Sequence, residues 1–159
     1  YAVLAAAGLL PVETLDTFGR FDSPLGHHPD RTLIRGVELA SGSLGHGLPI
    51  AVGMSLALRV QEVDSARVVC LVGDAGLDEG SNHEAIALAG RFGLDRLLAV
   101  VVDNRSATHG WPGGIAARFA VEGWTTATTS GREHDAIERA LRAGTPGRPH
   151  VVVCEVGPK

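Results

Sequence analysis

An α/β fold, a parallel sheet with helices on both faces, is predicted by three features of this sequence. Its strand-like runs are continuously apolar rather than alternating, helical segments separate them, and two of them end in polar residues. Continuous apolar strands suit a sheet covered on both sides, where every side chain meets a helix whichever way it points. Tyr1-Ala2-Val3-Leu4 reads as helix interior, so an upstream segment is expected, and Pro11–Phe18 reads as a second helix with proline at an early position. Phe21–Arg35 carries Pro24, Gly26 and Pro29 and reads as an ordered loop. The Gly42–Gly47 turn opens a long apolar helix through Met54 to about Val60. Strands follow at Arg67–Val72, Leu97–Val102, Trp124–Thr129 and His150–Val156, with helices at Glu79–Phe92 and about Glu133–Ala143. No repeat, low-complexity tract or linker interrupts them, so residues 1–159 are read as one domain.

Composition narrows the function. The chain has 159 residues, of which 45% are hydrophobic and 20% charged, enough for a core that buries roughly two-thirds of the unfolded surface. A net charge of -4, spread along the chain, lacks the concentrated basic face of a nucleic-acid binder. Lys159 is the only lysine. No apolar run approaches the roughly 18 residues that span a bilayer, and no leader stands at Tyr1, so no membrane partner and a cytoplasmic location are expected. Cys70 and Cys154 each sit in a valine-rich strand and are expected to be buried and reduced.

Chemistry gathers at the ends of strands. In an open parallel sheet, ligands bind beyond the carboxyl ends of the strands. Asp74 follows the first strand and Asn104 the second. One carboxylate and one amide oxygen suit Mg²⁺ or Ca²⁺ and are too few for zinc, and Mg²⁺ completes its shell with phosphate oxygens and water. Gly42-Ser43-Leu44-Gly45 precedes a helix N-terminus, where free N–H groups and the dipole attract anions. Metal and helix end together point to a diphosphate. Taken separately each signal is weak: an Asp after a strand is ordinarily a cap or turn residue, and a glycine turn has many uses.

Together the residues resemble a known family. Gly73-Asp74-Ala75-Gly76-Leu77-Asp78-Glu79-Gly80, then Asp103-Asn104 and Gly110, resembles the thiamine diphosphate motif, with thirty residues from Asp74 to Asn104. Ser23-Pro24-Leu25-Gly26-His27-His28-Pro29-Asp30, Gly36-Val37-Glu38 and Ser41–Leu48 resemble segments of transketolase in the same order. The chain is similar to the diphosphate-binding, N-terminal domain or subunit of that family. The resemblance implies the thiamine diphosphate-binding fold and a two-carbon ketol transfer between ketose and aldose sugars. It implies thiamine diphosphate with Mg²⁺ or Ca²⁺ held by Asp74, Asn104 and the Ser106 carbonyl. Gly42, Ser43, Leu44, Gly73, Ala75 and Asn104 would contact the cofactor, with the Ala75 N–H toward the diphosphate. His28 would reach the sugar and the reacting centre, and Glu79 would stand at a subunit interface, although a first-turn glutamate favoured by the helix dipole reads equally well.

The resemblance also implies a partner. The family's upstream Gly-His segment, a later phosphate-binding histidine and the pyrimidine-binding domain are not in these 159 residues. A pyrimidine-binding C-terminal subunit, in an α2β2 heterotetramer, is expected to supply what is missing. Four positions depart from the family pattern: Ala75 for Gly, His27 for Gly, His83 for Trp, and His109 for an acidic residue. An alanine at Ala75 is strained only if φ is positive. Two alternatives stay open: another donor, such as a 2-oxo acid, or a degenerate partner without catalysis. A nucleotide-binding module is disfavoured, since neither Gly-x-Gly-x-x-Gly after a strand nor a Walker motif is present.

Overall fold

A computed structural model describes residues 1–157; Pro158 and Lys159 lie outside the described residues. The chain divides into two compact units, one of residues 1–43 and one from Leu44 onward. In the first, helix α1 (Ala2–Ala6) precedes a 3₁₀ helix (Val12–Thr17), where the sequence predicts an ordinary helix. Ala5, Leu10, Leu25 and Ile34 form its small core. With only these to bury, the remaining loop is held by polar bonds: Tyr1 Oη donates to the Gly26 carbonyl at 2.8 Å, and the Ser41 amide to the Pro29 carbonyl at 3.1 Å.

The second unit is the expected parallel sheet. Its strands are β1 (Val68–Gly73), β2 (Leu97–Asp103), β3 (Thr125–Ser130) and β4 (His150–Glu155), in the order β1-β2-β4-β3, all parallel. Helices α2 (Gly47–Val60), α3 (Gly80–Phe92) and α4 (Ile115–Val121) cover one face, packing Leu48, Val52, Ile86 and Phe119 against Cys70, Ala99, Val101 and Val153. Helix α5 (His134–Leu141) covers the other face, over Leu98, Val152 and Cys154. Val69 and Leu71 of the edge strand β1 remain exposed on it. Cys70 and Cys154 are buried and unpaired, and burial pushes the Cys70 thiol up to about 11. No helix among the described residues is long and apolar enough to cross a membrane.

Helix α4 is the α-helix absent from the sequence prediction. It is seven residues long, entered through Gly113 and Gly114 and left through Gly123, all at positive φ. Its Phe119 meets Trp124 edge to face, with ring centres 4.9 Å apart, and the Trp124 Nε1–H donates to the Ile86 carbonyl at 2.9 Å. That bond ties β3 to α3. The turn between α4 and β3 comes so close to α3 that a Cβ added at Gly90 would lie 1.7 Å from the Glu122 carbonyl oxygen.

Gly90→Ala therefore forces α3 away from the α4–β3 turn and should cost about 3 kcal/mol in urea unfolding, the upper range for overpacking. Gly53, in α2, meets nothing within 4 Å, and Gly53→Ala should instead stabilise by about 0.5–1 kcal/mol through helix propensity.

Candidate functional site

Strand register brings the candidate ligands to one level. Gly73 is opposite Val102, so Asp74 and Asp103-Asn104 leave the sheet side by side, and the Asp74 amide donates to the Val102 carbonyl at 3.1 Å. The chain then turns at Asp74 into a 3₁₀ helix (Ala75–Asp78) with the Asp74 side chain as its cap. Asp74 is buried, 1% exposed, and its carboxylate accepts four donors. Oδ1 takes the Ala75 amide at 2.9 Å and the Ser106 hydroxyl at 2.6 Å; Oδ2 takes the Ser106 amide at 2.7 Å and the Ala107 amide at 3.0 Å. Burial pushes its pKa up, but the Ser106 hydroxyl and the three amides outweigh this and hold it below the usual value.

The Ser106 amide also donates to Asn104 Oδ1 at 3.1 Å. One N–H thus lies within hydrogen-bond reach of both the carboxylate and the amide oxygen, which converge on the same point. The intervening Arg105 adopts φ +61°, reversing the chain so that Ser106 can turn back. Among the described residues no three His, Cys, Asp or Glu side chains gather as a metal site. The donors that do gather are hard oxygens, and they fit Mg²⁺ or Ca²⁺ completed by phosphate and water.

Ala75 has no positive φ, so its methyl is unstrained there. Its N–H, expected to face a diphosphate, donates to Asp74 instead. Gly73 closes β1, and Leu44 lies over the turn, its Cδ1 3.8 Å from where a Gly76 Cβ would stand. Two helix N-termini meet beside this turn. A Cβ at Gly45, φ +83°, would be 2.3 Å from the Glu79 Cβ, and Ser81 Oγ donates to the Gly45 carbonyl at 3.0 Å. Neither α2 nor α3 has a side-chain cap, and the exposed Glu79 makes no capping bond to α3. Gly42 and Ser43 close the first unit. There a Cβ at Gly42 would lie 3.2 Å from the His28 ring, so His28 sits close beside that glycine while staying exposed. His27 instead packs against the edge of Phe18, ring centres 5.2 Å apart.

The sequence assigns no role to three further residues beside the site. Asp78 Oδ2 accepts the Thr108 amide at 2.7 Å, the Thr108 hydroxyl at 3.1 Å and the His109 amide at 3.3 Å, with His109 Nδ1 also 3.3 Å away. The Thr108 amide first, then the His109 amide and both side chains, outweigh burial and hold Asp78 at about 2. His83 stacks on Trp111 with ring centres 4.8 Å apart and planes 8° from parallel. Asn82, fully buried, donates to the Gly76 carbonyl at 2.5 Å. Asp78 stands in the motif and precedes Thr108 by the same thirty residues that separate Asp74 from Asn104, His83 shows as a departure from the family pattern, and Asn82 left no signal.

The family described as transketolase, thiamine diphosphate binding domain, matches residues 1–156. The chain is 53% identical over 156 residues to a protein of Rhodococcoides fascians called ferredoxin fas2, covering 98% of this chain and 51% of that protein. It is 34% identical over 160 residues to one subunit of the apulose-4-phosphate transketolase of Actinobacillus succinogenes, covering 96% of this chain and 58% of that one. The chain thus spans between half and three-fifths of these relatives' lengths. A transketolase from Leishmania mexicana superposes with a TM-score of 0.81 at 25% identity, over 98% of this chain and 26% of that one.

Because Asp78 titrates at about 2 in the folded chain, against a usual 3.8, its anchor is fully present above about pH 4 and is lost as pH falls through about 2. The unfolding midpoint of the wild type should therefore fall more steeply from pH 4 to 2 than that of Asp78→Asn. At pH 7 the variant's Thr108 and His109 amides should exchange faster, by roughly tenfold. Equal acid profiles would remove Asp78 as the loop's anchor.

Proposed function

Because the chain belongs to the transketolase thiamine diphosphate-binding family, we propose that it is the diphosphate- and Mg²⁺-binding subunit of a split transketolase-type enzyme. In this reading it transfers a two-carbon ketol unit from a ketose to an aldose together with a pyrimidine-binding subunit. The observation that carries it is the Ser106 N–H shared by Asp74 and Asn104, which marks where two hard oxygens converge. Those two side chains would hold the cation, Ca²⁺ being the alternative to Mg²⁺, with the Ser106 carbonyl as a third ligand. Gly42, Ser43, Leu44, Gly73, Ala75 and Asn104 would line thiamine diphosphate, and the uncapped N-termini of α2 and α3 favour an anion. Thiamine diphosphate, when bound, supplies the nucleophilic carbon. The chain's own part is anchorage, charge neutralisation and, at His28, a hydrogen bond or proton for the sugar oxygen.

The family match runs through both units, which supports their acting as one domain. The Actinobacillus relative is by name one subunit of its enzyme, which supports a separate partner here. We place the two in an α2β2 assembly, with the uncapped, exposed Glu79 at the interface. Two buried, unpaired cysteines support a cytoplasmic location. A second reading is favoured by the name of the 53% identical relative, that of an electron carrier. There the donor would be a 2-oxo acid, which would lose CO2, pass its acyl group to water as the carboxylate and give up two electrons to an iron–sulfur partner. A degenerate partner is disfavoured, since Ala75 is unstrained and the ligand oxygens converge.

Two experiments test the proposal. The purified chain should show negligible ketol transfer, and the pyrimidine-domain subunit should restore it; a complex active only on 2-oxo acids would select the second reading. In the assembled enzyme, His28→Ala should lower turnover with a ketose roughly 10²–10⁴-fold with cofactor affinity nearly unchanged. His27→Ala, whose ring only packs on Phe18, should stay close to wild type. Equal losses in the two variants would remove His28 from the chemistry.

A further inference from the structure

Asp74 has no lone pair to spare. A carboxylate offers about four acceptor sites, and the Ala75 amide, the Ser106 amide, the Ala107 amide and the Ser106 hydroxyl take four bonds to it. A cation that binds this carboxylate must displace one of them. Three are backbone amides, fixed by the 3₁₀ cap and by the turn at Arg105, and releasing any of these means moving the chain. The fourth is a side-chain hydroxyl that leaves by rotation about a single bond. Ser106 is exposed, so the freed hydroxyl passes straight to water.

We infer that the Ser106 hydroxyl competes with the divalent cation for Asp74 Oδ1 and thereby sets the affinity of the site. The inference rests on the proposed role of Asp74 and Asn104 as cation ligands. It assigns Ser106 two opposed functions, since its carbonyl is a candidate ligand while its hydroxyl occupies the carboxylate. At 2.6 Å the hydroxyl–carboxylate bond is in the short, charge-assisted class, so the competition is strong. The hydroxyl also offsets part of the buried charge and ties the loop after β2 to Asp74. Removing it should weaken that loop's order while opening the carboxylate to a cation.

The test is Mn²⁺ binding to the full chain with its partner subunit, in the presence of inorganic pyrophosphate, read by electron paramagnetic resonance rather than by activity. Ser106→Ala should bind Mn²⁺ roughly 3–10-fold more tightly, less than the full strength of the lost bond because water can replace the hydroxyl. Ser106→Thr keeps a hydroxyl at the same atom and should stay within about twofold of wild type. Unchanged or weaker binding by Ser106→Ala overturns the inference, and weaker binding would make the hydroxyl itself a ligand. Asp74→Ala separates this failure from a deeper one. If it binds Mn²⁺ as well as wild type, the cation site itself is misplaced and the inference falls with it.

Discussion

The buried carboxylate of Asp74 is the point through which both the local fold and the site are organised. Taking an ionised carboxylate out of water costs several kcal/mol unless donors replace the lost hydration. Here the chain supplies them from two places: the turn that follows β1 and the loop that follows β2. The electrostatic demand of one side chain therefore shapes thirty-residue-distant backbone, and the same demand turns the Ser106 amide toward Asn104. A cation would meet that demand with greater charge and less backbone. The Asp74 oxygens are thus held by hydrogen bonds rather than by packing, and it is hydrogen bonds that a cation would have to replace.

Parallel register does the rest. Because β1 and β2 run in the same direction with Gly73 opposite Val102, their polar ends emerge together, and before Gly73 and Asp103 the two strands are apolar throughout. The helices contribute from the same end. Gly45 lets α2 begin against the start of α3, at a distance no other residue would allow, so two uncapped N-termini face the region of the turn. Amide dipoles attract anions, and the carboxylates repel them. On the proposed reading, a diphosphate would be accommodated only with a cation that reverses the sign of the carboxylate side, so metal and phosphate would bind in mutual dependence.

The sheet was legible in the sequence because Val151-Val152-Val153 and Leu97–Val102 have no reading other than buried strands. Asp74 and Asn104 were legible because they stand where such strands stop. Helix α4 was not, since seven residues between glycine turns give too short a pattern for a 3.6-residue period to declare itself. The anchoring role of Asp78 was hidden for another reason. Its partners are mostly main-chain amides at Thr108 and His109, and amides leave no mark in a sequence. The alanine at Ala75 posed a question of φ that only a backbone could answer.

Two departures from the family pattern turn out to be used by the same loop. His109 directs Nδ1 back to Asp78, and His83 stacks under Trp111, so each histidine holds part of the segment that follows Asn104. Arg118 of α4 stands 6.0 Å over the Trp111 ring, adding a cationic neighbour to that stack. The loop is thus fastened at Asp74, at Asp78 and at Trp111. Of these fastenings, the two beyond Asp74 do not involve the ligand oxygens. Release of the Ser106 hydroxyl would leave them intact, so on the proposed reading the turn could exchange a proton donor for a cation while the rest of the loop keeps its position.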